Sequence, residues 1–345
     1  MKRGFAIVIF ISVFLLIAGC VISPRRVVGG GSSGGSGGGG GTGSTGGQLY
    51  VATSNSILRF SNVEAATGNI VPTATITSSA ISSPQHMTVD TVADRLYVAN
   101  QATSSILIFD NASTLSGSAT PRIISGNATH LSRPVDVAVD TTNNLLYVAD
   151  GTSILVFSPA STVGGNAAPV RNINMGVTIG GLLLDVTNQQ LYVSDPSDNA
   201  VDRLDSIGTQ DVVGIVGGAI AGPDTLLSQP RGLALDSSGR LIVGNAATPI
   251  SITIYPSASI NTGDALPSAN FNGGNTLLKS PQQIALNRNV SNGELYVADP
   301  VAASILIFTN ISTATGNVAP ARSITGSSTG LAANAINGLA LDPTR

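Results

Sequence analysis

A short apolar phrase returns six times along this 345-residue chain, and no other feature constrains its fold as tightly. It reads Leu-Tyr-Val-Ala at Leu49, Leu96, Leu146 and Leu295, Leu-Tyr-Val-Ser at Leu191, and Leu-Ile-Val-Gly at Leu241. The anchors lie 45–54 residues apart. Aromatic and β-branched residues closed by a small or polar one predict a strand. A second strand is predicted after each anchor, over 56–60, 105–109, 153–157, 251–255 and 304–308, with a degenerate version at 200–204. A third precedes the anchors, over 87–90, 137–140, 182–185, 233–236 and 284–287. A polar linker such as Thr315-Gly316-Asn317-Val318-Ala319-Pro320 then leads to a short fourth strand, as at 321–324.

Four strands per repeat, repeated four to eight times with no helical period between them, predict a β-propeller. The expected fold is therefore all-β, with six four-stranded blades over residues 48–345. The first repeat lacks the strand before its anchor, and the chain ends on it: Gly338-Leu339-Ala340-Leu341-Asp342. The C-terminal strand is expected to join the N-terminal blade and close the ring, which protects edges an open array would expose. Along the innermost strands Thr88, Ala138, Ala234, Ala285 and Ala340 alternate with large residues, and Leu183 breaks that pattern. Alternate side chains point to opposite faces, so a small face of one blade is expected against a large face of the next.

The run Pro230-Arg231-Gly232-Leu233-Ala234-Leu235-Asp236, a turn, then Leu-Tyr-Val-Ala-Asp and Ser-Ile-x-(Val/Ile)-Phe resembles the NHL-repeat propellers and the bacterial YVTN-type propellers. The resemblance covers residues 48–345. Propellers of this kind include protein-binding modules, sugar-lactone hydrolases, and lyases with a metal at the axis. The WD and kelch types rely on tryptophan, and this chain has none.

The N-terminus carries an address. Lys2 and Arg3 precede an apolar run over residues 5–18, shorter than the roughly 18–20 residues that span a bilayer, which reads as an export signal. Its end, Leu16-Ile17-Ala18-Gly19-Cys20, holds the only cysteine and resembles the lipobox of bacterial lipoproteins. The resemblance implies cleavage before Cys20 and lipid on its thiol and on the new amino terminus. Two or more acyl chains give stable attachment at about 0.8 kcal/mol per buried methylene. Val21, rather than Asp, favours the outer membrane by the same analogy. Residues 1–19 are thus read as the signal peptide and 20–47 as a lipidated tether. Its 19-residue Gly/Ser/Thr run, 29–47, behaves as a flexible coil with a reach of roughly 25 Å.

Composition narrows the chemistry. Charged residues make up 10% of the chain with net charge −3, against about 25% in ordinary domains. Basic residues never cluster beyond Arg25-Arg26, so no nucleic-acid partner is expected. One cysteine excludes a disulfide framework. Aspartates or asparagines recur at the ends of the inner strands (Asp90, Asp140, Asp185, Asp236, Asp342) and after the anchors (Asn100, Asp150, Asp195, Asn245, Asp299), where they are expected to hydrogen-bond turn backbone.

The exceptions to the repeat are the candidate site. Where other repeats place Gly181, Gly232 and Gly338, three blades carry His86, Asp136 and Gln283, at the opening of the inner strand and the mouth of the central channel. His86 and Asp136 on adjacent blades have the chemistry of an acid–base pair or two metal ligands. His130, in register with Leu226 and Leu277, is a more remote third member. A zinc site generally needs three protein ligands, and the chain offers two His and two Glu (Glu64, Glu294) in total. No Gly-x-Ser-x-Gly elbow or phosphate loop is present. The expectation is a monomeric, non-enzymatic module on the bacterial envelope, anchored by lipid at Cys20, that binds protein, peptide or glycan without a cofactor. The alternative is a hydrolase or lyase with a divalent metal at the channel mouth.

Overall fold

The computed structural model of the chain describes residues 46–207, 217–258 and 262–345. The signal segment, Cys20 and the tether as far as residue 45 lie outside the described residues. Six blades of four antiparallel strands follow one another in sequence, and the sheet of the first also takes on the two-residue strand Gly117–Ser118 in parallel. Blade 3 is representative: from the axis outward it runs Pro134–Asp140, Leu145–Asp150, Ser153–Phe157 and Arg171–Asn174. The inner strands of the other blades are Gly338–Asp342 (blade 1), Pro84–Asp90, Gly181–Asp185, Pro230–Leu235 and Ile284–Asn287 (blades 2, 4, 5 and 6). Consecutive inner strands touch around a complete cycle. Every anchor is the second strand of its blade. The degenerate fourth repeat also forms its strand, Ala200–Asp205.

The last strand completes the first blade. Gly338–Asp342 pairs antiparallel with Gln48–Ala52, in the register Gln48 to Asp342 and Ala52 to Gly338. The short helices among the described residues are six single 3-10 turns, and none is long and apolar enough to cross a membrane.

The apolar core is divided into six slabs, one between each pair of neighbouring blades. The slab between blades 6 and 1 joins Tyr296, Ile305 and Ile307 to Leu49, Val51 and Phe60, so the ring is sealed by packing as well as by pairing. Inner-strand alternation works as the sequence implies. Val137 faces back into the slab with blade 2, while Ala138 faces forward into the slab with blade 4. The small forward side chain leaves room for Leu182 on the next inner strand. Leu183, the exception, packs forward against the slab with blade 5.

The polar linkers are clasps between blades. Gly68, Gly165, Gly263 and Gly316 each bridge in parallel to the outer strand of the preceding blade. The next residue accepts a backbone N–H there: Asn69 from Ser328, Asn166 from Ala128, Asp264 from Asp224 and Asn317 from Asn275. The receiving turn needs a glycine. At Gly326, φ is 119° and a Cβ would stand 2.5 Å from Asn69 Oδ1. Three outer strands add an arginine to the next blade's backbone. Arg122 donates to Ser161 and Val163, Arg171 to Ile207, and Arg322 to Val63 and Ala66.

The inner-strand aspartates cap their own turns as expected. Asp90 accepts from the Val92 and Ala93 N–H groups, and Asp140 from Thr142 and Asn143. After the anchors the pattern differs. Asp195 holds its own turn through Ser197, Asp150 reaches back to the N–H groups of Ser132 and Arg133, and Asp299 does both, accepting from Ala302 in its own turn and from Lys279 and Ser280. Ser132, Arg133, Lys279 and Ser280 belong to the loop entering the inner strand. Its donors have no ladder partner, so the neighbouring strand supplies one.

Candidate functional site at the channel mouth

Six residues open the inner strands around the axis: Gly338, His86, Asp136, Gly181, Gly232 and Gln283. Below this ring lies a channel of about 270 Å³, walled by the inner strands at residues such as Val89, Val137, Leu183 and Leu339. Above it the mouth opens as a cavity of about 280 Å³. His86 lines the mouth, while Asp136 and Gln283 line the channel.

The ring is stitched across blades. Asp136 is buried, and its two oxygens accept the Val137 and Leu182 N–H groups, each at 2.7 Å. The second bond crosses to blade 4 beside Gly181, where a Cβ would stand 2.6 Å from the Arg231 carbonyl oxygen. Gln283 does the same on the other side. Its Oε1 accepts from Leu339 N (2.8 Å, blade 1) and Met87 N (3.1 Å, blade 2), and its Nε2 donates to Met87 O at 2.9 Å. A Cβ at Gly338 would stand 2.7 Å from that Oε1. Long polar side chains on some blades thus occupy the space that glycines vacate on others.

The structure brings His86 and Asp136 together. Nδ1 of His86 lies 3.1 Å from Asp136 Oδ2, but out of line for N–H donation, and this buried nitrogen has no hydrogen-bond partner. His130 is exposed in the left-handed region (φ 59°), after the turn Asn127–Thr129. It occupies the same cap position as Leu226 and Leu277 and is not on the cavity wall. Both glutamates are engaged elsewhere. Glu64 accepts from Asn287, and Glu294 is held by Tyr296 and Arg322. Among the described residues no three His, Cys, Asp or Glu side chains come close enough to hold a metal ion.

Sequence reasoning missed the residues that give the mouth its charge. Arg133 and Arg231 both line the cavity, and neither side chain has an ion pair or hydrogen bond in the structure. Burial and, secondarily, the charge of Arg133 lower the pKa of Arg231, and its buried Nε lacks a partner. The remainder of the wall is mostly neutral, with the amides of Gln85, Gln101, Gln282, Asn334 and Asn337. No hydroxyl, thiol or carboxylate side chain lines it among the described residues. The wall can therefore donate hydrogen bonds and hold negative charge. It offers no nucleophile beside His86.

No protein-family model matches the chain, and no curated protein does. The fold is nevertheless shared. A chain from a nidogen/laminin complex is 16% identical with a TM-score of 0.60; the alignment covers 86% of this chain and 98% of that one. A protein of unknown function from Bacteroides caccae is 10% identical with a TM-score of 0.57, over the same shares of the two chains. At such identities the likeness defines a class by fold, the six-bladed β-propeller, and nothing finer.

Proposed function

We propose that this protein is a lipid-anchored binding module of the bacterial envelope that receives its ligand at the propeller's channel mouth. The carrying observation is the make-up of that cavity: two unpartnered arginines and five amide side chains, with no hydroxyl, thiol or carboxylate on the wall among the described residues. Such a wall recognises groups and has little with which to transform them. The stitched ring beneath it supports the same reading, because Asp136 spends its oxygens on backbone N–H groups. One similar fold belongs to a nidogen/laminin complex, and the same ring architecture in this chain would suit a macromolecular partner. Anchoring rests on the lipobox-like segment ending at Cys20. The tether would let the propeller explore the space near the membrane.

The test has two arms. Full-length protein in detergent is presented to arrays of envelope oligosaccharides and peptides, beside a Gln101→Trp variant that crowds the mouth. Selective retention lost in the variant supports the module; retention unchanged by the variant moves the site elsewhere. Cys20→Ala is then expected to release the protein from the membrane fraction, and continued retention would sink the anchor.

The second reading, a metal-dependent hydrolase or lyase, has in its favour the approach of His86 to Asp136. Elemental analysis decides it. A stoichiometric divalent metal that disappears in His86→Ala would replace the binding module with the enzyme.

A further inference from the structure

The chain is poor in charge, and most of its described arginines are partnered within the fold. Arg95 pairs with Asp110, Arg203 with Asp205, Arg240 with Asp236, Arg322 with Glu294 and Arg345 with Asp94 and Asp342. Arg122, Arg171 and Arg288 donate to backbone carbonyls, and Arg59 donates to Gln48. Among the described arginines, Arg133 and Arg231 alone have no such partner, and both face one cavity. Burying part of a guanidinium beside a second positive charge is costly. A fold that pairs its other arginines and leaves these two together carries that cost for something outside itself.

Both are mounted on fixed backbone. The Arg133 N–H donates to Asp150 Oδ1. The Arg231 carbonyl accepts from the Ser194 hydroxyl at 2.7 Å, and a bulge between Pro230 and Leu233 takes this stretch out of the regular ladder. The guanidiniums are thus presented on a rigid rim, which lowers the ordering cost of binding. Planar guanidinium forks match carboxylates bidentately. Around them stand amides, which donate and accept at once and so suit hydroxyl groups, with Pro300 and Ile336 as apolar surface.

We propose that the channel mouth binds an acidic saccharide, with the sugar carboxylate held by Arg133 and Arg231 and its hydroxyls by Gln101, Gln282 and Asn337. This rests on the reading of the mouth as a binding site. Five amides in a cavity of about 280 Å³ suit a compact polyhydroxylated ring; an acidic peptide, whose backbone can also pair with amides, is the alternative that the titration separates.

The experiment uses full-length protein in detergent and isothermal titration with three probes: a uronic-acid oligosaccharide, its neutral hexose counterpart, and a peptide ending in two glutamates. The uronate is expected to bind, more weakly as salt rises, and the neutral sugar to bind far less. Removing one guanidinium should weaken uronate binding about ten- to a hundredfold, the range for a hydrogen bond to a charged group. Arg133→Gln tests this on the exposed rim and Arg231→Gln on the inner strand, with thermal melts to confirm that each is folded. Arg231→Lys, which keeps charge but loses the fork, should fall between. Equal binding of neutral and acidic sugars, or uronate binding unmoved by both arginine variants, would overturn the inference while leaving the binding module standing. So would binding of the peptide alone. Failure of all three probes, together with failure of the arrays, would overturn both.

Discussion

Asp202 shows what one residue can do to a repeat. It sits where blades 1, 2, 3 and 6 place Leu58, Leu107, Leu155 and Leu306. Its backbone keeps the ladder, opposite Val193 and Ala219. Its side chain is 2% exposed, and Oδ2 has no hydrogen-bond partner. Burial, reinforced by Asp195 and Asp198, raises its pKa from 3.8 to about 6. A carboxyl that is harder to ionise in the folded state stabilises the fold most below its unfolded pKa, and that stability is lost as pH rises through the folded value. Denaturant titrations should therefore show wild-type stability falling between pH 4 and about 6, by on the order of 3 kcal/mol. Asp202→Leu should remove the slope and be the more stable protein at pH 7. A wild-type profile flat across that window would refute the assignment. The sequence shows this position as a degenerate repeat, and the period-2 pattern says that Asp202 faces a slab. It does not say whether a partner waits there. The same limit hid Arg133 and Arg231. They flank the prolines that open the inner strands of blades 3 and 5, beside positions that sequence comparison does single out. Their significance lies in a lack of partners, which depends on residues from other blades.

Between elements, the blades are joined by polar clasps as well as by apolar slabs. Arg322 is one of them, and it holds Val63, Ala66 and Glu294 together. Arg322→Met would leave Glu294, 4% exposed, without its counter-ion and should cost about 3–5 kcal/mol. Adding Glu294→Gln should restore part of that loss, because the two changes share one interaction. Urea midpoints of the single and double variants measure the difference; additive losses would mean that the pair is not coupled. At the ring, Gln283→Ala would orphan the N–H groups of Met87 and Leu339 and should destabilise by about 2 kcal/mol or more. The sequence revealed Gln283 as an exception to the repeat. That its role includes tying three blades together follows from the 2.8 Å and 3.1 Å bonds, which no spacing rule contains. Blade number, strand order and ring closure were legible because each is written six times or at a chain end. Individual side-chain contacts are written once.

At the scale of the molecule, the backbone pairing that closes the ring rests on one strand. Removing residues 338–345 would strip Gln48–Ala52 of its inner partner and bare a strand edge that can pair with another chain. Size-exclusion chromatography of that truncation should show more self-association than the full chain. A monomer with an unchanged melt would contradict the closure argument. The same pairing sets an order in time. A ribosome delivers Gln48 long before Gly338, so the first blade waits for its inner strand while the other five are made. The Leu339 N–H that Gln283 needs arrives only then. A chain stalled or clipped before Gly338 would have neither a sealed ring nor a complete set of residues at the channel mouth.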